Sequence, residues 1–197
     1  MITNIKQYIE NKDYSIIELG PGDKKYDKNS IGIDICEKDS VDYIADLRNG
    51  LVFLGKNSID VIYAFHFLEH VDDLEFFLTE VYRVLKPGGS LIASVPHFSN
   101  PYFYSDYTHK SFWGLYTICY FSKQQLFKRE IPKYYNSLDF SIEYIKLNFR
   151  SPFRIRNKIK QIFQYIFNIN RYMQELYEEN FVYLVPCYEI SFKLKKL

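Results

Sequence analysis

The stretch that decides the fold is Ile16-Ile17-Glu18-Leu19-Gly20-Pro21-Gly22, an apolar run that ends in a glycine-containing turn. We predict a buried strand over residues 15–19, because a short apolar run that stops at glycine is typical of a strand in a parallel sheet. Glycines at the carboxyl end of such a strand allow the backbone to come within contact distance of a ligand. The turn at residues 20–22 is therefore the first candidate binding element.

Outward from this turn, short β-type runs alternate with helical patterns. This alternation is typical of a doubly wound, mostly parallel α/β sheet. The predicted strands of the first half cover residues 15–19, 30–35, 41–45, 59–64 and 90–95. The clearest helix has Asp72 as its predicted N-cap and apolar residues at helical spacing, namely Leu74, Phe77, Leu78, Val81 and Leu85. The second half predicts a short helix over 122–131 and strands over 140–149 and 183–193.

Composition bounds the class of protein. The length of 197 residues fits a single domain. The 25 basic and 24 acidic residues give a net charge of +1, so we expect no nucleic acid partner. Cys36, Cys119 and Cys187 lie far apart without a CxxC spacing, which favours a reducing, cytoplasmic environment. No uncharged apolar run reaches 18 residues, so we predict no transmembrane segment.

Carboxylates follow the second and third predicted strands. Asp34 is placed to accept hydrogen bonds from the two hydroxyls of a ribose, and Asp46 from an adenine amino group. The alternative for each is a turn cap. Lys25 stands where a dinucleotide fingerprint requires a third Gly or Ala, so a nicotinamide or flavin cofactor is disfavoured.

A series of segments along the first half carries a family resemblance. They are Glu18-Leu19-Gly20-Pro21-Gly22, Gly32-Ile33-Asp34, Ala45-Asp46-Leu47, Ile59-Asp60-Val61-Ile62-Tyr63, Leu68-Glu69-His70-Val71 and Tyr82-Arg83-Val84-Leu85-Lys86-Pro87-Gly88-Gly89. This series resembles the class I S-adenosylmethionine-dependent methyltransferases. It is most similar to a subgroup with a shortened first helix, because only 11 residues separate Gly22 from Asp34.

The resemblance implies a Rossmann-like, seven-stranded sheet with an antiparallel last strand. It also implies S-adenosylmethionine as the cofactor. By the resemblance, the cofactor-binding residues are Glu18, Gly20, Pro21, Gly22, Asp34, Ile35, Asp46, Leu47, Phe65 and His66. The subgroup's association with surface polysaccharide pathways suggests a sugar-linked acceptor.

All four histidines fall at the predicted carboxyl ends of the fourth and fifth strands or in the loop that follows. We predict His70, His97 and His109 around the acceptor as general base or hydrogen-bond donors, with Asp106 orienting His109. The alternative is a divalent metal held by His66, Glu69 and His70, with His97 or His109 completing the set. That pattern is similar to the Glu-x-x-Glu-His site of certain metal-assisted methyltransferases, and its imidazole content favours Zn, Fe, Co or Ni over Mg.

Two further segments receive predicted roles within a single domain of residues 1–197. Residues 97–121 form an aromatic acceptor loop, and residues 150–182 form a helical insertion. The insertion has one apolar stripe, and residues 150–171 contain no acid. Four interpretations stay open for it: a lid, a homodimer face, a helix resting on an anionic membrane, and a core helix with solvated cations.

These observations predict a methyltransferase that uses S-adenosylmethionine to methylate an oxygen of a small or sugar-linked acceptor. Two alternatives remain: a metal-assisted methyltransferase, and a non-catalytic subunit that binds S-adenosylmethionine for a partner. We expect a cytoplasmic protein, with peripheral contact at the inner membrane face as a further expectation.

Overall fold

The computed structural model describes residues 1–197, which form one central sheet with helices beside it. The strands are β1 (Ile16–Leu19), β2 (Ile31–Asp34), β3 (Tyr43–Ile44), β4 (Ile59–Phe65), β5 (Leu85–Pro96), β6 (Phe140–Asn148) and β7 (Glu189–Lys196). The helices are α1 (Ile5–Glu10), α2 (Leu74–Val84), α3 (Arg154–Phe167) and α4 (Arg171–Asn180). The strand order is β3-β2-β1-β4-β5-β7-β6, and only β7 runs against its neighbours. This confirms the predicted α/β, Rossmann-like sheet of seven strands with an antiparallel last strand.

The central strands are apolar because helices or loops cover both of their faces. Ile17 and Leu19 of β1 and Ile62 and Ala64 of β4 are fully buried in the main core. Leu19 pairs with Ala64 on one side and with Ile33 on the other, so the carboxyl ends of β1, β2 and β4 lie side by side. The strand order reverses between β1 and β4, which is where open α/β sheets bind ligands.

No helix connects β1 to β2, as the short spacing between Gly22 and Asp34 indicates. Helix α2 begins one residue later than predicted. Asp73, not Asp72, is its N-cap and accepts a hydrogen bond from the backbone N–H of Phe76. The Lys86–Gly89 segment, which precedes the predicted strand over residues 90–95, lies within β5 as an irregularity opposite β4.

Two sequence predictions in the second half are wrong. Residues 122–131 form no helix, because the backbone N–H groups of Lys128 and Arg129 donate to the Glu175 carboxylate instead of to the preceding turn. The last strand begins at Glu189 rather than at residue 183. The chain there first completes a turn after α4, with Leu184 N–H donating to Phe181, and Pro186 has no N–H for a sheet ladder.

The insertion between β6 and β7 folds as α3 and α4. Only part of the predicted apolar stripe of α3 packs inward: Phe163 and Ile166 are half-buried, while Ile155, Ile159 and Ile162 are exposed. The core-helix interpretation is therefore wrong for those three isoleucines. No helix of the structure combines the length and the apolar character needed to cross a bilayer.

Candidate functional site

A cleft of about 750 Å³ opens at the carboxyl ends of β1, β2 and β4. Its wall includes Gly20, Gly22, Asp34, Ile35, Asp46, Leu47, His66, Phe67, His70, Thr108 and Lys110. A cavity of about 720 Å³ between β6 and the α3–α4 pair is lined mainly by amide, tyrosine and aliphatic side chains, at the edge of the sheet. The cleft at the strand ends is the candidate site, since it gathers the titratable groups and the glycine turn.

The glycine turn after β1 owes its shape to two residues in the left-handed region. Gly20 has φ +60° and Gly22 has φ +62°, a conformation that costs a residue with a Cβ about 1–2 kcal/mol. A Cβ on Gly20 would also lie 3.0 Å from Cδ2 of Phe67, whereas one on Gly22 would meet no atom within 4 Å. The turn therefore presents bare backbone to the cleft.

Three of the predicted cofactor residues lie outside the cleft wall. The Glu18 carboxylate is buried and accepts hydrogen bonds from Tyr26 N–H and the Ser30 hydroxyl, so it holds the β1–β2 connection. Pro21 is also buried. The Phe65 ring packs on Tyr26, with ring centroids 4.7 Å apart. These residues support the glycine turn on the side away from the cleft. Direct contact of each with a ligand stays a prediction.

The two predicted strand-end carboxylates differ in how much of their hydrogen-bonding capacity the protein uses. Asp34 accepts one hydrogen bond, from Cys36 N–H to Oδ1, and its Oδ2 accepts none from the protein. Asp46 caps the 3₁₀ turn Leu47–Asn49 and forms an ion pair with Arg48 at 2.7 Å. The Arg48 side chain lowers the pKa of Asp46 by hydrogen bonding to it. Asp34 is thus the freer acceptor for a hydroxyl pair.

His66 has φ +52°, an uncommon conformation for a residue with a side chain. Its Nε2 lies 2.9 Å from Glu189 Oε2, and its Nδ1 lies 3.4 Å from Glu69 Oε1. The hydrogen bond to Glu189 and then the neighbouring Glu69 carboxylate raise the pKa of His66 to about 9. His66 is therefore a cation at neutral pH and lacks the free lone pair of a general base.

A second group of side chains joins the end of β4 to the acceptor loop. The Thr108 hydroxyl donates to Asp106 Oδ1 at 2.6 Å and lies 2.9 Å from His70 Nδ1. His109 Nδ1 donates to the Phe103 carbonyl at 2.9 Å, and the His70 and His109 rings lie 4.9 Å apart. The predicted pairing of Asp106 with His109 is a looser contact of 3.7 Å. Asp106 instead acts on His70 through Thr108.

His97 does not reach the cleft, so its predicted contact with an acceptor is wrong. Its side chain is fully buried, Nε2 lies 3.0 Å from Glu178 Oε2, and Nδ1 lies 2.7 Å from Ser99 Oγ. A residue with no solvent-accessible surface and both ring nitrogens paired cannot meet a bound acceptor. Glu178 comes from α4, 81 residues further along the chain, so no local pattern reveals the pair.

The predicted metal set changes by one residue. Ligand atoms of Glu69, His70 and His109 all lie within 4.8 Å of one another, while His66 lies between Glu69 and Glu189. Glu69 and His70 come from the 3₁₀ turn after β4, and His109 comes from the acceptor loop. The Asp106-Tyr107-Thr108-His109 segment is the sequence signal for this part of the site.

Comparison with known proteins agrees with the fold. Residues 23–93 match a family model described as a methyltransferase domain. No curated protein matches the chain in sequence. The structure is similar to a SAM-dependent methyltransferase from Archaeoglobus fulgidus, with a TM-score of 0.57 and 20% identity over 96% of this chain and 90% of the other.

Two further solved structures share the fold. One is an S-adenosylmethionine-dependent methyltransferase from Mesorhizobium loti, with a TM-score of 0.51 and 17% identity over 92% of this chain and 90% of the other. The second is a phosphoethanolamine N-methyltransferase from Haemonchus contortus in complex with phosphomonomethylethanolamine and S-adenosylhomocysteine. Its TM-score is 0.51 with 14% identity over 96% of this chain and 51% of the other.

The fold is that of the class I S-adenosylmethionine-dependent methyltransferases, and residues 23–93 match a methyltransferase domain. S-adenosylmethionine is the cofactor that this class indicates.

Proposed function

We propose that the protein transfers a methyl group from S-adenosylmethionine to an oxygen atom of a small or sugar-linked acceptor. The observation that carries the proposal is the cleft at the carboxyl ends of β1, β2 and β4, in which a bare glycine turn faces a carboxylate with a free oxygen. Such a cleft suits an uncharged ribose and adenine better than a pyrophosphate, because no helix N-terminus follows the turn.

The residues present fit the cofactor. Asp34 is the proposed partner of the ribose hydroxyls, and the backbone of Gly20 and Gly22 is proposed to lie against the methionine and ribose. Asp46 and Leu47, with Ile35, are proposed around the adenine. When bound, S-adenosylmethionine supplies a methyl group on a positively charged sulfur, which an oxygen nucleophile can displace in line.

The acceptor is proposed to bind beside His70 and His109. A hydroxyl acceptor must lose its proton as the methyl–oxygen bond forms, and a neutral imidazole accepts a proton near pH 7. The products are then a methyl ether, S-adenosylhomocysteine and a protonated histidine. Asp106 supports His70 through Thr108, and His66 is placed to contribute positive charge rather than to accept a proton.

Exposed aromatic rings beside His109 support a sugar-like acceptor. Phe103 packs on His109 at 4.7 Å, and Tyr104 and Phe112 flank it with most of their surface exposed. Exposed aromatic faces bind the apolar faces of sugar rings and remain wet at their edges.

Helix α3 supports a second element of the proposal, a peripheral contact with an anionic membrane at the cytoplasmic face. Exposed Ile155, Ile159 and Ile162 share the helix with basic residues, and no acid lies between residues 150 and 171. An amphipathic cationic helix of this type binds in the interface of anionic bilayers. This location would bring the site close to a lipid-linked sugar.

Calorimetry with S-adenosylmethionine and S-adenosylhomocysteine tests the proposal. We expect both to bind with one-to-one stoichiometry, and NADH not to bind. Methylation of nucleotide-linked and lipid-linked sugars, followed by mass spectrometry, then separates an enzyme from a subunit that only binds the cofactor. The proposal would be refuted if neither S-adenosylmethionine nor S-adenosylhomocysteine bound to the protein.

A further inference from the structure

Glu69 is the one residue of the protein whose buried carboxylate accepts no hydrogen bond at either oxygen. It is 1% exposed. An ionised carboxylate that is removed from water is strongly destabilising unless a cation compensates for it. The nearest cation, His66, is 3.4 Å from Oε1 and makes its shorter contact, 2.9 Å, with Glu189. The Glu69 carboxylate can therefore bind a further cation.

Hydrogen bonds fix the tautomers of the two histidines beside Glu69. The Thr108 hydroxyl has one proton, and it donates that proton to Asp106, so it must accept from His70 Nδ1–H. The Phe103 carbonyl can only accept, so His109 also carries its proton on Nδ1. In both rings Nε2 is left without a hydrogen bond from the protein, and the nearest carboxylate oxygen to that of His109 is Asp106 Oδ2 at 3.7 Å. Metal-ligating histidines commonly have this arrangement, with the second ring nitrogen donating to an oxygen.

We propose that Glu69, His70 and His109 form a binding site for one divalent transition-metal ion. Their ligand atoms lie within 4.8 Å of one another. In a tetrahedral site with metal–ligand bonds of about 2.0–2.2 Å, two ligand atoms lie roughly 3.3–3.6 Å apart, so the three side chains need to close by up to about 1.5 Å. Two imidazoles and one carboxylate favour Zn²⁺, Fe²⁺, Co²⁺ or Ni²⁺ over Mg²⁺.

The site is placed to act on the acceptor. His70 belongs both to this set and to the wall of the cleft, and three protein ligands leave a coordination position for an outside oxygen. Its role in catalysis would be to lower the pKa of an acceptor hydroxyl, whose proton then passes to solvent because a metal-bound Nε2 has no lone pair. This role would replace the histidine base of the proposed function and rests on that function. Ion binding itself does not.

Titration of the metal-free protein with Zn²⁺, followed by calorimetry, and with Co²⁺, followed by its visible absorption, tests the site. We expect one equivalent to bind to the wild type. Glu69→Gln and His109→Gln should each weaken binding by about 100-fold or more, because the loss of a ligand exceeds the 10–100-fold cost of losing an outer partner. Asp34→Asn is the matched control in the same cleft and should bind the ion within about threefold of the wild type. His66→Gln removes a neighbour of Glu69 but no ligand, so it should weaken binding less than His109→Gln does.

Three results would overturn the proposal: no ion bound by the wild type, equal binding by all variants, or a loss in His66→Gln as large as in His109→Gln. Thermal unfolding reports whether each variant is folded, and binding of S-adenosylhomocysteine does so for Glu69→Gln and His109→Gln. His109 lies in the acceptor loop, so His109→Gln decides the matter if Glu69→Gln does not fold. If the wild type binds the ion but not S-adenosylhomocysteine, only the proposed function is refuted. If it binds S-adenosylhomocysteine but not the ion, only the metal site is refuted.

Discussion

His97 Nε2 and Glu178 Oε2 lie 3.0 Å apart in a pair that is closed to solvent, and they join the loop after β5 to helix α4. Glu178 Oε1 also accepts from Leu115 N–H at 2.8 Å, so one carboxylate holds the acceptor loop at two points. Helix α4 is therefore part of the frame of the site. This argues against a mobile lid formed by the α4 half of the insertion.

Replacement of His97 by Gln is expected to destabilise the protein rather than to affect chemistry directly. His97 Nδ1 accepts from Ser99 N–H and Nε2 donates to the Glu178 carboxylate, and losing a buried hydrogen bond to a charged group typically costs about 1.5–3 kcal/mol. Urea unfolding followed by circular dichroism measures this loss. The double variant His97→Gln/Glu178→Gln should recover part of it, because no uncompensated carboxylate remains. A His97→Gln variant of wild-type stability that cannot methylate an acceptor would contradict this structural role.

Asp34→Asn is expected to weaken S-adenosylhomocysteine binding by roughly 10–100-fold, since hydrogen bonds to a charged group contribute about 1.5–3 kcal/mol. The amide oxygen can still accept the hydrogen bond from Cys36 N–H, so the free energy of unfolding should change little. Isothermal titration calorimetry gives the affinity. Asp39→Asn, at an exposed position of the same connection, is the control and should bind normally. Equal affinity in both variants would place the ribose elsewhere.

The glycine turn predicts a difference between two alanine variants. Both Gly20→Ala and Gly22→Ala incur the cost of a left-handed conformation, about 1–2 kcal/mol. Gly20→Ala adds a close contact at 3.0 Å with Phe67, so it should lower the free energy of unfolding further than Gly22→Ala does. Chemical unfolding of the two variants under the same conditions compares them. The reverse order would mean that Phe67 moves away without cost.

The Glu80–Arg83 pair predicts a pH-dependent contribution to stability. Arg83 donates to Glu80 and to the carbonyls of Leu51 and Leu54, and its hydrogen bond lowers the pKa of Glu80 from 4.5. Because the folded-state pKa is lowered, the contribution is complete above about pH 4.5 and disappears as the pH falls through the folded-state value.

Glu80→Gln should accordingly cost about 0.5–1.5 kcal/mol at pH 7 and progressively less in acid. Unfolding free energies of the wild type and the variant between pH 3 and pH 7 measure this difference. Glu75→Gln, at an exposed position of the same helix, is the control. A cost that does not change with pH would mean that the charge of Glu80 is not involved.

Polar substitutions on α3 are expected to reduce binding to anionic vesicles without loss of stability. Ile155 and Ile162 are 78% and 59% exposed, so Ile155→Ser and Ile162→Ser remove little packing. Co-sedimentation with phosphatidylglycerol vesicles should fall in the double variant, and zwitterionic vesicles should bind neither protein. If the wild type does not bind anionic vesicles either, a homodimer face becomes the better interpretation of α3. The same substitutions should then change the oligomeric state.

Much of the fold and of the cofactor side of the site follows from local physics. The apolar run that ends at Gly20 predicts a buried strand followed by a turn, and Asp34 follows the next predicted strand. In a parallel sheet both then lie at the same edge. The order of βα units then determines that these strand ends meet. These features were predictable because each depends on residues close together in the chain.

The acceptor side of the candidate site depends on contacts between distant segments that no local pattern records. His66 is paired with Glu189, 123 residues away, and the burial of His97 depends on a carboxylate from α4. By itself, the sequence determined the sheet, the glycine turn and which residue types gather at one edge. Only the tertiary structure decided which histidines are charged, buried or free, because burial and hydrogen-bond partners arise from packing between distant segments.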